Sequence, residues 1–530
     1  MSSTHVLPLT AAARVDPTKR VALAVASGCA SALAFLDPAF YALAWMAFVP
    51  LLFALRGTRP LQAYALGLVA GMAMQTVGSY WLVEFVSNLK GYGTAQSASL
   101  AALAWLYGAH LLALPALVFR WLERRTRFHE LLLWPVLLAS GFALLPMPIE
   151  IKLGQTQAQF ALAIQAIDVT GVYGLDALIA LVNAAIYVLL ARAMTKWDRV
   201  ALAVAGLVVL GWLGYGLYAL QDWERRLENA PTLRVGIVQP NDPPSASIPE
   251  PRAGFSYAYP LELATTERLA QHGAQLVVWP EARYRGFFDR PLVRDSYLRE
   301  LERIDVPVIF QDMERIHDTA SSHVFNSAAL VADGALSDRY RKVERIAFGE
   351  YLPVPEIFPA ARNALAAYLG DFFDEVTPGD GSRVFALDEI GLIPLICYET
   401  TAARYVAGAA AQAPGRTLLV ALSNDTWFGT TRAAEQHLYS SILRAVENRL
   451  PLVHAINNGP SGLVDARGKL RFRSPPGSEG GYVAEIPYSD SNGTFFNRHP
   501  RWFVDGLTIA LAILIAIALA RRNQGAALGS

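Results

Sequence analysis

The sequence predicts a multi-pass α-helical membrane domain of about eight transmembrane helices, with one large extracytoplasmic α/β domain before the last of them. Three observations carry this. Long apolar runs are confined to the two ends of the chain, short Val/Ile/Leu runs alternate with helical stretches in between, and positive charge gathers on one side of the apolar runs. The 530 residues are enough for two or three domains. They are 53% hydrophobic and only 17% charged, less charge than a soluble globular chain carries. Formal net charge is zero, so nothing in the balance calls for a nucleic-acid partner.

The N-terminal apolar runs fall at residues 21–36, 38–55, 61–87, 97–119, 131–147, 168–191 and 199–220. Several reach the ~20 residues needed to cross a hydrocarbon core. An eighth, at 502–520, ends in Arg521-Arg522. The predicted division is therefore 1–222 as an N-terminal membrane domain, 230–500 as the α/β domain and 502–522 as a closing helix. With the N-terminus in the cytoplasm, fourteen Lys and Arg fall in the cytoplasmic stretches, near residues 14–20, 56–59, 120–127, 192–199 and 521–522. The opposite short loops hold two, Lys90 and Lys152. That imbalance follows the positive-inside rule and sets the 230–500 domain outside the cytoplasm. Of the two cysteines, Cys29 lies in the first apolar run. Ala26-Ser27-Gly28-Cys29 loosely matches a lipoprotein signal, but a cysteine within a membrane helix is the better reading.

In the middle region, the runs at 233–238, 276–279, 306–310, 392–396, 418–422 and 452–456 place Val, Ile and Leu on consecutive positions. That is the pattern of strands covered on both faces. Helices are expected at 261–271, 292–303 and 433–448, so a sheet with helical layers results. Polar residues follow three of the strands: Glu281, Cys397, and Asn424 with Asp425. The crevice beyond strand carboxyl ends is where ligands bind in open α/β sheets.

A thiol reacts as thiolate, so Cys397 needs a base or a nearby cation. Glu281 is the candidate base. Lys342 is the candidate cation, able also to stabilise an oxyanion, and Glu350 could orient the lysine. Singly, a Glu after a strand is usually a loop residue, a Lys in a basic run is usually surface, and a Cys after an apolar strand is usually core.

Together, Trp279-Pro280-Glu281, Tyr340-x-Lys342 with Phe348-Gly349-Glu350-Tyr351, and Cys397-Tyr398-Glu399 resemble the ordered Glu–Lys–Cys motifs of the nitrilase superfamily. Asn424 through Gly429, Gln436-His437 and 444–447, with membrane helices on both flanks, narrow the resemblance to the bacterial apolipoprotein N-acyltransferases. The resemblance implies an αββα sandwich in the bacterial inner membrane, acting as a monomer without metal or diffusible cofactor. It implies a phospholipid acyl donor, a cysteine thioester, and a diacylglyceryl apolipoprotein acceptor. By the same resemblance Glu281, Lys342 and Cys397 are catalytic, and Glu350, Tyr398 and Glu399 support them. Asn424, Trp427, Phe358 and Tyr368 are candidate substrate contacts. The last two belong to an apolar segment at 357–373 that either rests on the bilayer or packs as an ordinary amphipathic helix.

The chain departs from the family after Asn241, where a Lys-Trp stretch gives way to Asp242-Pro243-Pro244-Ser245. It departs again after Glu281, at Ala282-Arg283-Tyr284-Arg285, and at His454 and residues 457–462. Arg283 and Arg285 read as solvated loop charges, with phosphate binding the alternative. These departures keep a second reading open, a membrane-bound amidase or an acyltransferase with another amine acceptor. A transporter or lipid scaffold ranks third, since the runs hold few ionisable groups, among them Glu84 and Asp176 toward ends and His110 deeper.

Overall fold

The structure, a computed structural model, describes residues 16–527 apart from 192, 246, 318–321, 355–357, 370–374 and 414. Arg14, Arg192, Ile357, Phe372 and Phe373, named or counted above, lie outside the described residues, as do the side chains of Lys90 and Arg522.

Every apolar run folds as helix. The first, Pro17–Leu36, starts where Asp16 accepts a 3.0 Å bond from the Thr18 N–H and Pro17 presets the first turn. Cys29 stands mid-helix beside Gly28, whose missing side chain lets the helix cross Pro60–Gly78 closely. A Cβ at Gly28 would lie 2.2 Å from the Ala70 carbonyl oxygen. Among the described residues, six helices are long and apolar enough to span a membrane: Pro17–Leu36, Pro38–Leu55, Thr94–Glu123, Val172–Ala191, Lys196–Glu228 and Trp502–Arg521. The run read as one span at 61–87 is a pair, Pro60–Gly78 and Leu82–Leu89, bent by 61°, which makes seven if it counts as one span. The run at 131–147 is the 15-residue helix Glu130–Leu144, shorter than a full crossing.

Between residues 232 and 491 the chain builds two sheets. Strands β1 (Thr232–Gln239), β2 (Leu276–Val278), β3 (Val308–His317), β4 (Ser322–Ala332) and β5 (Ala335–Arg341) belong to one. Strands β6 (Phe385–Leu387), β7 (Ile390–Ile396), β8 (Gly415–Ser423), β9 (Leu452–Ile456), β10 (Gly462–Val464) and β11 (Leu470–Arg473) form the other, with the short strand Asp490–Ser491 paired to β8. β12 (Gly480–Pro487) returns to the first sheet, giving the orders β12-β1-β2-β3-β4-β5 and β11-β10-β9-β8-β7-β6. Pairs β1–β2, β2–β3, β7–β8 and β8–β9 are parallel.

The consecutive apolar residues have two destinations because strand side chains alternate faces. Leu392, Ile396, Leu418, Val420 and Leu422 meet Val235, Ile237 and Val278 of the opposite sheet. Ile393, Leu395, Leu419 and Ala421 point outward, into a core shared with the helix Ala433–Asn448 and with the N-terminal helices. Outside the first sheet lie Leu261–Gln271 and Pro291–Ile304, packed through Leu263, Val293 and Tyr297 onto Trp279 and Phe310. The result is the expected helix–sheet–sheet–helix sandwich.

Candidate active site

Strand register brings the polar groups to one edge. Ile396 pairs with Leu422, so Cys397 and Ser423 leave the second sheet side by side. Cys397 has φ +50°, a left-handed backbone unusual for a non-glycine residue, and opens a tight 3₁₀ turn to Thr401. Glu399, two residues on, holds that turn. Its carboxylate accepts bonds from the N–H groups of Ile396 (2.7 Å), Val343 (2.8 Å) and Glu344 (3.1 Å), and from the Tyr340 hydroxyl. The end of β7 is thereby tied to the chain leaving β5, which carries Lys342. Burial pushes the Glu399 carboxyl up to about 7.

Glu281 follows β2 and stands close enough to Cys397 for the two groups to shift each other's acidity. The Lys342 ammonium, 2% exposed, donates to Glu350 at 2.8 Å. One amide nitrogen of Asn326 donates to both carboxylates, to Glu281 at 2.9 Å and Glu350 at 3.2 Å. The Asn326 oxygen accepts from Gln311 at 2.8 Å, which fixes the amide's orientation. Two carboxylates therefore share one amide donor, with the buried Lys342 ammonium bonded to one of them and acting electrostatically on the other.

The charges follow from this arrangement. Burial pushes the Cys397 thiol well up, and the Glu281 carboxylate adds to the rise, so the resting sulfur is protonated. Burial also raises Glu281, against the pull of the Lys342 ammonium. Burial alone would lower Lys342, but Glu350 and Glu281 outweigh it and hold the ammonium charged. A base beside a protonated thiol and a fixed cation beyond it can run nucleophilic attack on a carbonyl. The sign for pH is direct: Glu281 must be ionised to take the proton, and its acidity is weakened. The acid limb of the acylation rate is expected above the ordinary glutamate value of 4.5. A single-turnover pH profile checks it, and a limb at or below 4.5 contradicts it.

Sequence reasoning passed over Asn326 and Gln311 as site residues. Their signal was a lone amide inside an apolar strand segment, Phe325-Asn326-Ser327 and Phe310-Gln311-Asp312. It also gave no role to His437. That imidazole faces Asp425 through Nδ1 (3.0 Å to each oxygen) and, through Nε2, lies 2.7 Å from the Thr400 hydroxyl and 3.2 Å from the Cys397 carbonyl oxygen. Burial opposes charge on His437, but Asp425 prevails and raises it.

Two clefts reach the site. One, of about 920 Å³, is mostly apolar and runs from Cys397, Tyr398 and His437 to Phe35, Met74 and Trp81 of the N-terminal helices. The second, of about 1370 Å³, is lined by residues 242–245, Tyr257, Glu281, Tyr284, Asn424, Trp427 and Asn457. The bent helix Leu82–Lys90 clamps the loop between them. Phe428 stacks on Phe85 (5.3 Å) and meets Trp81 edge-on (5.0 Å), and Asn88 donates to the Trp427 carbonyl at 3.0 Å. Gly429, at φ +65°, completes this contact, since a Cβ there would stand 1.8 Å from a Glu84 carboxylate oxygen.

Residues 179–494 match the family model "Carbon-nitrogen hydrolase", and residues 27–185 match "Apolipoprotein N-acyltransferase N-terminal domain". An apolipoprotein N-acyltransferase of Geobacter metallireducens is 30% identical over 535 aligned residues, covering 96% of each chain. Another, of Gloeobacter violaceus, is 30% identical over 510, covering 94% of each. The chain belongs to the apolipoprotein N-acyltransferase family. It is an acyltransferase built on the carbon–nitrogen hydrolase fold. Among solved structures it is similar to a mutant of the Nesterenkonia AN1 amidase of the nitrilase superfamily, 19% identical, covering 48% of this chain and 90% of that one, with a TM-score of 0.33.

Within this N-acyltransferase chain the structure gathers Glu281, Lys342, Glu350, Cys397 and Glu399, with Tyr398 in the apolar cleft and Asn424 and Trp427 in the second. Phe358 and Tyr368 are not brought in. Phe358 is exposed, and Tyr368, on the helix Pro359–Leu369, is exposed and meets the Tyr92 ring. Arg285 departs from expectation. It is buried, paired with Glu262, and donates to the carbonyls of Pro280 and Gln311. A guanidinium satisfied on all sides shapes the loop after Glu281 and is not a solvated charge.

Proposed function

We propose that Cys397 carries a fatty acyl chain from a membrane phospholipid to the α-amino group of an S-diacylglyceryl cysteine at the start of a lipoprotein. Glu281 takes the thiol proton as sulfur attacks the ester carbonyl, and the Lys342 ammonium stabilises the oxyanion. The ester C–O bond breaks, and Glu281 returns the proton to the leaving oxygen, releasing a lysophospholipid. In the second half the acceptor amine attacks the thioester carbonyl. Its proton passes through Glu281 to sulfur as the C–S bond breaks, and an amide leaves. Glu350 and Asn326 hold Lys342 and Glu281 in position, and Glu399 holds the Cys397 turn.

The observation that carries this reading is the apolar cleft, walled on one side by the nucleophile and on the other by helices fit to span a membrane. A hydrolase of small amides has no use for such a wall. The charge bias of the loops, with the family, supports a multi-pass protein of the bacterial inner membrane, with the N-terminus cytoplasmic and the α/β part periplasmic.

The test is mass spectrometry of protein incubated with phospholipid vesicles. A fatty acyl adduct on the peptide containing Cys397 is expected, with N-acylated lipopeptide formed once acceptor is added. Neither species, or hydrolysis of a simple amide in their place, would overturn the proposal.

A further inference from the structure

His437 reaches the nucleophile through its backbone. It stands in the first turns of the helix Ala433–Asn448, with 9% of its side chain exposed. The neighbouring Gln436 pins that helix by accepting from the Trp81 indole at 3.1 Å. The ring therefore has fixed partners. Nδ1 faces both oxygens of the fully buried Asp425 carboxylate at 3.0 Å. Nε2 lies 3.2 Å from the Cys397 carbonyl oxygen and 2.7 Å from the Thr400 hydroxyl. That hydroxyl has one proton and gives it to the Cys397 carbonyl, at 3.1 Å, so its oxygen accepts from Nε2. Acceptors thus meet both ring nitrogens, and only a ring protonated on both satisfies every group at once. Burial opposes that charge, and Asp425 maintains it. The adjacent His454 shows the contrast. Its nitrogens meet the hydroxyls of Ser423 and Ser441, which can serve a neutral ring.

The consequence falls on the turn that carries the sulfur. Cys397 holds φ +50°, disfavoured for a residue with a Cβ and kept only where its surroundings impose it. Glu399 fixes the chain entering the turn, through the Ile396 N–H at 2.7 Å. The carbonyl leaving it is held by His437 and Thr400 together. We propose that His437 is a positioning residue for acyl transfer: as an imidazolium bridging Asp425 to the Cys397 carbonyl, it keeps the turn left-handed and the nucleophile at the apolar cleft. The role rests on the acyl-transfer reading of this site.

The experiment uses full-length protein in phosphatidylethanolamine vesicles, with His437→Phe, His437→Asn and His437→Gln beside the parent. A glutamine amide can place an N–H where Nε2 stands. An asparagine reaches only the Nδ1 position, and a phenylalanine keeps a ring without donors. Single-turnover thioester formation is followed over a range of phospholipid content. His437→Phe and His437→Asn should lower the maximal rate about tenfold to a hundredfold, the effect of a misplaced nucleophile, with half-saturating lipid unchanged. His437→Gln should stay at least about fivefold faster than His437→Asn, the effect of one retained hydrogen bond. A parent rate in His437→Phe overturns the proposal, and so does a His437→Gln rate no better than that of His437→Asn, whether or not the variants fold. A loss that appears in half-saturation also overturns it and makes His437 a lipid contact instead. Nitrogen NMR of the histidines reads the bridge without lipid chemistry. The ring signals missing from His437→Gln should report two protonated nitrogens in the parent at neutral pH, and a bare nitrogen overturns the proposal. Absence of any thioester in the parent would instead overturn the acyl-transfer reading, with the spectrum still deciding whether the bridge exists.

Discussion

Cys397→Ser is expected to lower acyl transfer by about a thousandfold or more while the protein stays folded and inserted. The replacement changes one buried atom, and the hydroxyl can occupy the same φ +50° turn that Glu399 fastens. What it cannot do is reach the anion. The thiol is already raised by burial and by Glu281, so attack depends on proton removal during the step. A serine hydroxyl begins far less acidic than a thiol and would need more from the same base. The measurement is lysophospholipid release in vesicles, with the thermal midpoint as control. Activity above about a tenth of the parent with Ser at 397 would show that sulfur is not the nucleophile.

Lys342→Ala should lose about 10²–10³ in kcat, the usual effect of removing one oxyanion partner. Its second effect is more diagnostic. Lys342 is bonded to Glu350 and acts on the charge of Glu281, and its removal leaves two largely enclosed carboxylates on one Asn326 amide without a cation. One must take a proton, so the acid limb of the pH profile should move upward as well as the plateau downward. Leaving such charge uncompensated also costs about 3–5 kcal/mol of stability, visible as a lower melting midpoint. A fall in kcat with the acid limb unmoved would mean that Lys342 does not govern Glu281.

Much of this was legible in the sequence, for identifiable reasons. Runs such as 392–396 and 418–422 declare strands because both of their faces are buried, one by each neighbouring layer. Cys397, Glu281 and Lys342 were legible through their flanking motifs. The strand β4 was not, because its antiparallel pairing carries Asn326 and Ser327 among apolar residues, and an amide reads as a turn signal until its partners are known. The bend within 61–87 was hidden for a different reason: hydropathy reports how apolar a run is and says nothing of its direction. Arg285 was misjudged because Glu262, its partner, lies 23 positions upstream on another element. The segment near 358–368 has the composition of a lipid-facing arm, but its described part stands clear of the Cys397 cleft.

The core shared by the second sheet and the N-terminal helices bears on how the chain is made. Ile393, Leu395 and Leu443 close against the same cluster as Leu138, Ile164 and Ile179, and Phe496 and Val504 complete it. Buried links sew that seam: Arg449 to Asp168 at 2.7 Å, and the Glu447 carboxylate to the Val172 N–H at 2.8 Å. Synthesis delivers the helical half first, so it becomes the mould on which the outer face of the second sheet is cast. The reactive turn at Cys397 hangs from that face. Until the ribosome has released residues near 500, the mould is open and the nucleophile has no finished seat. Catalytic competence is thus expected late in biogenesis, once Phe496 and Val504 have joined the helical half.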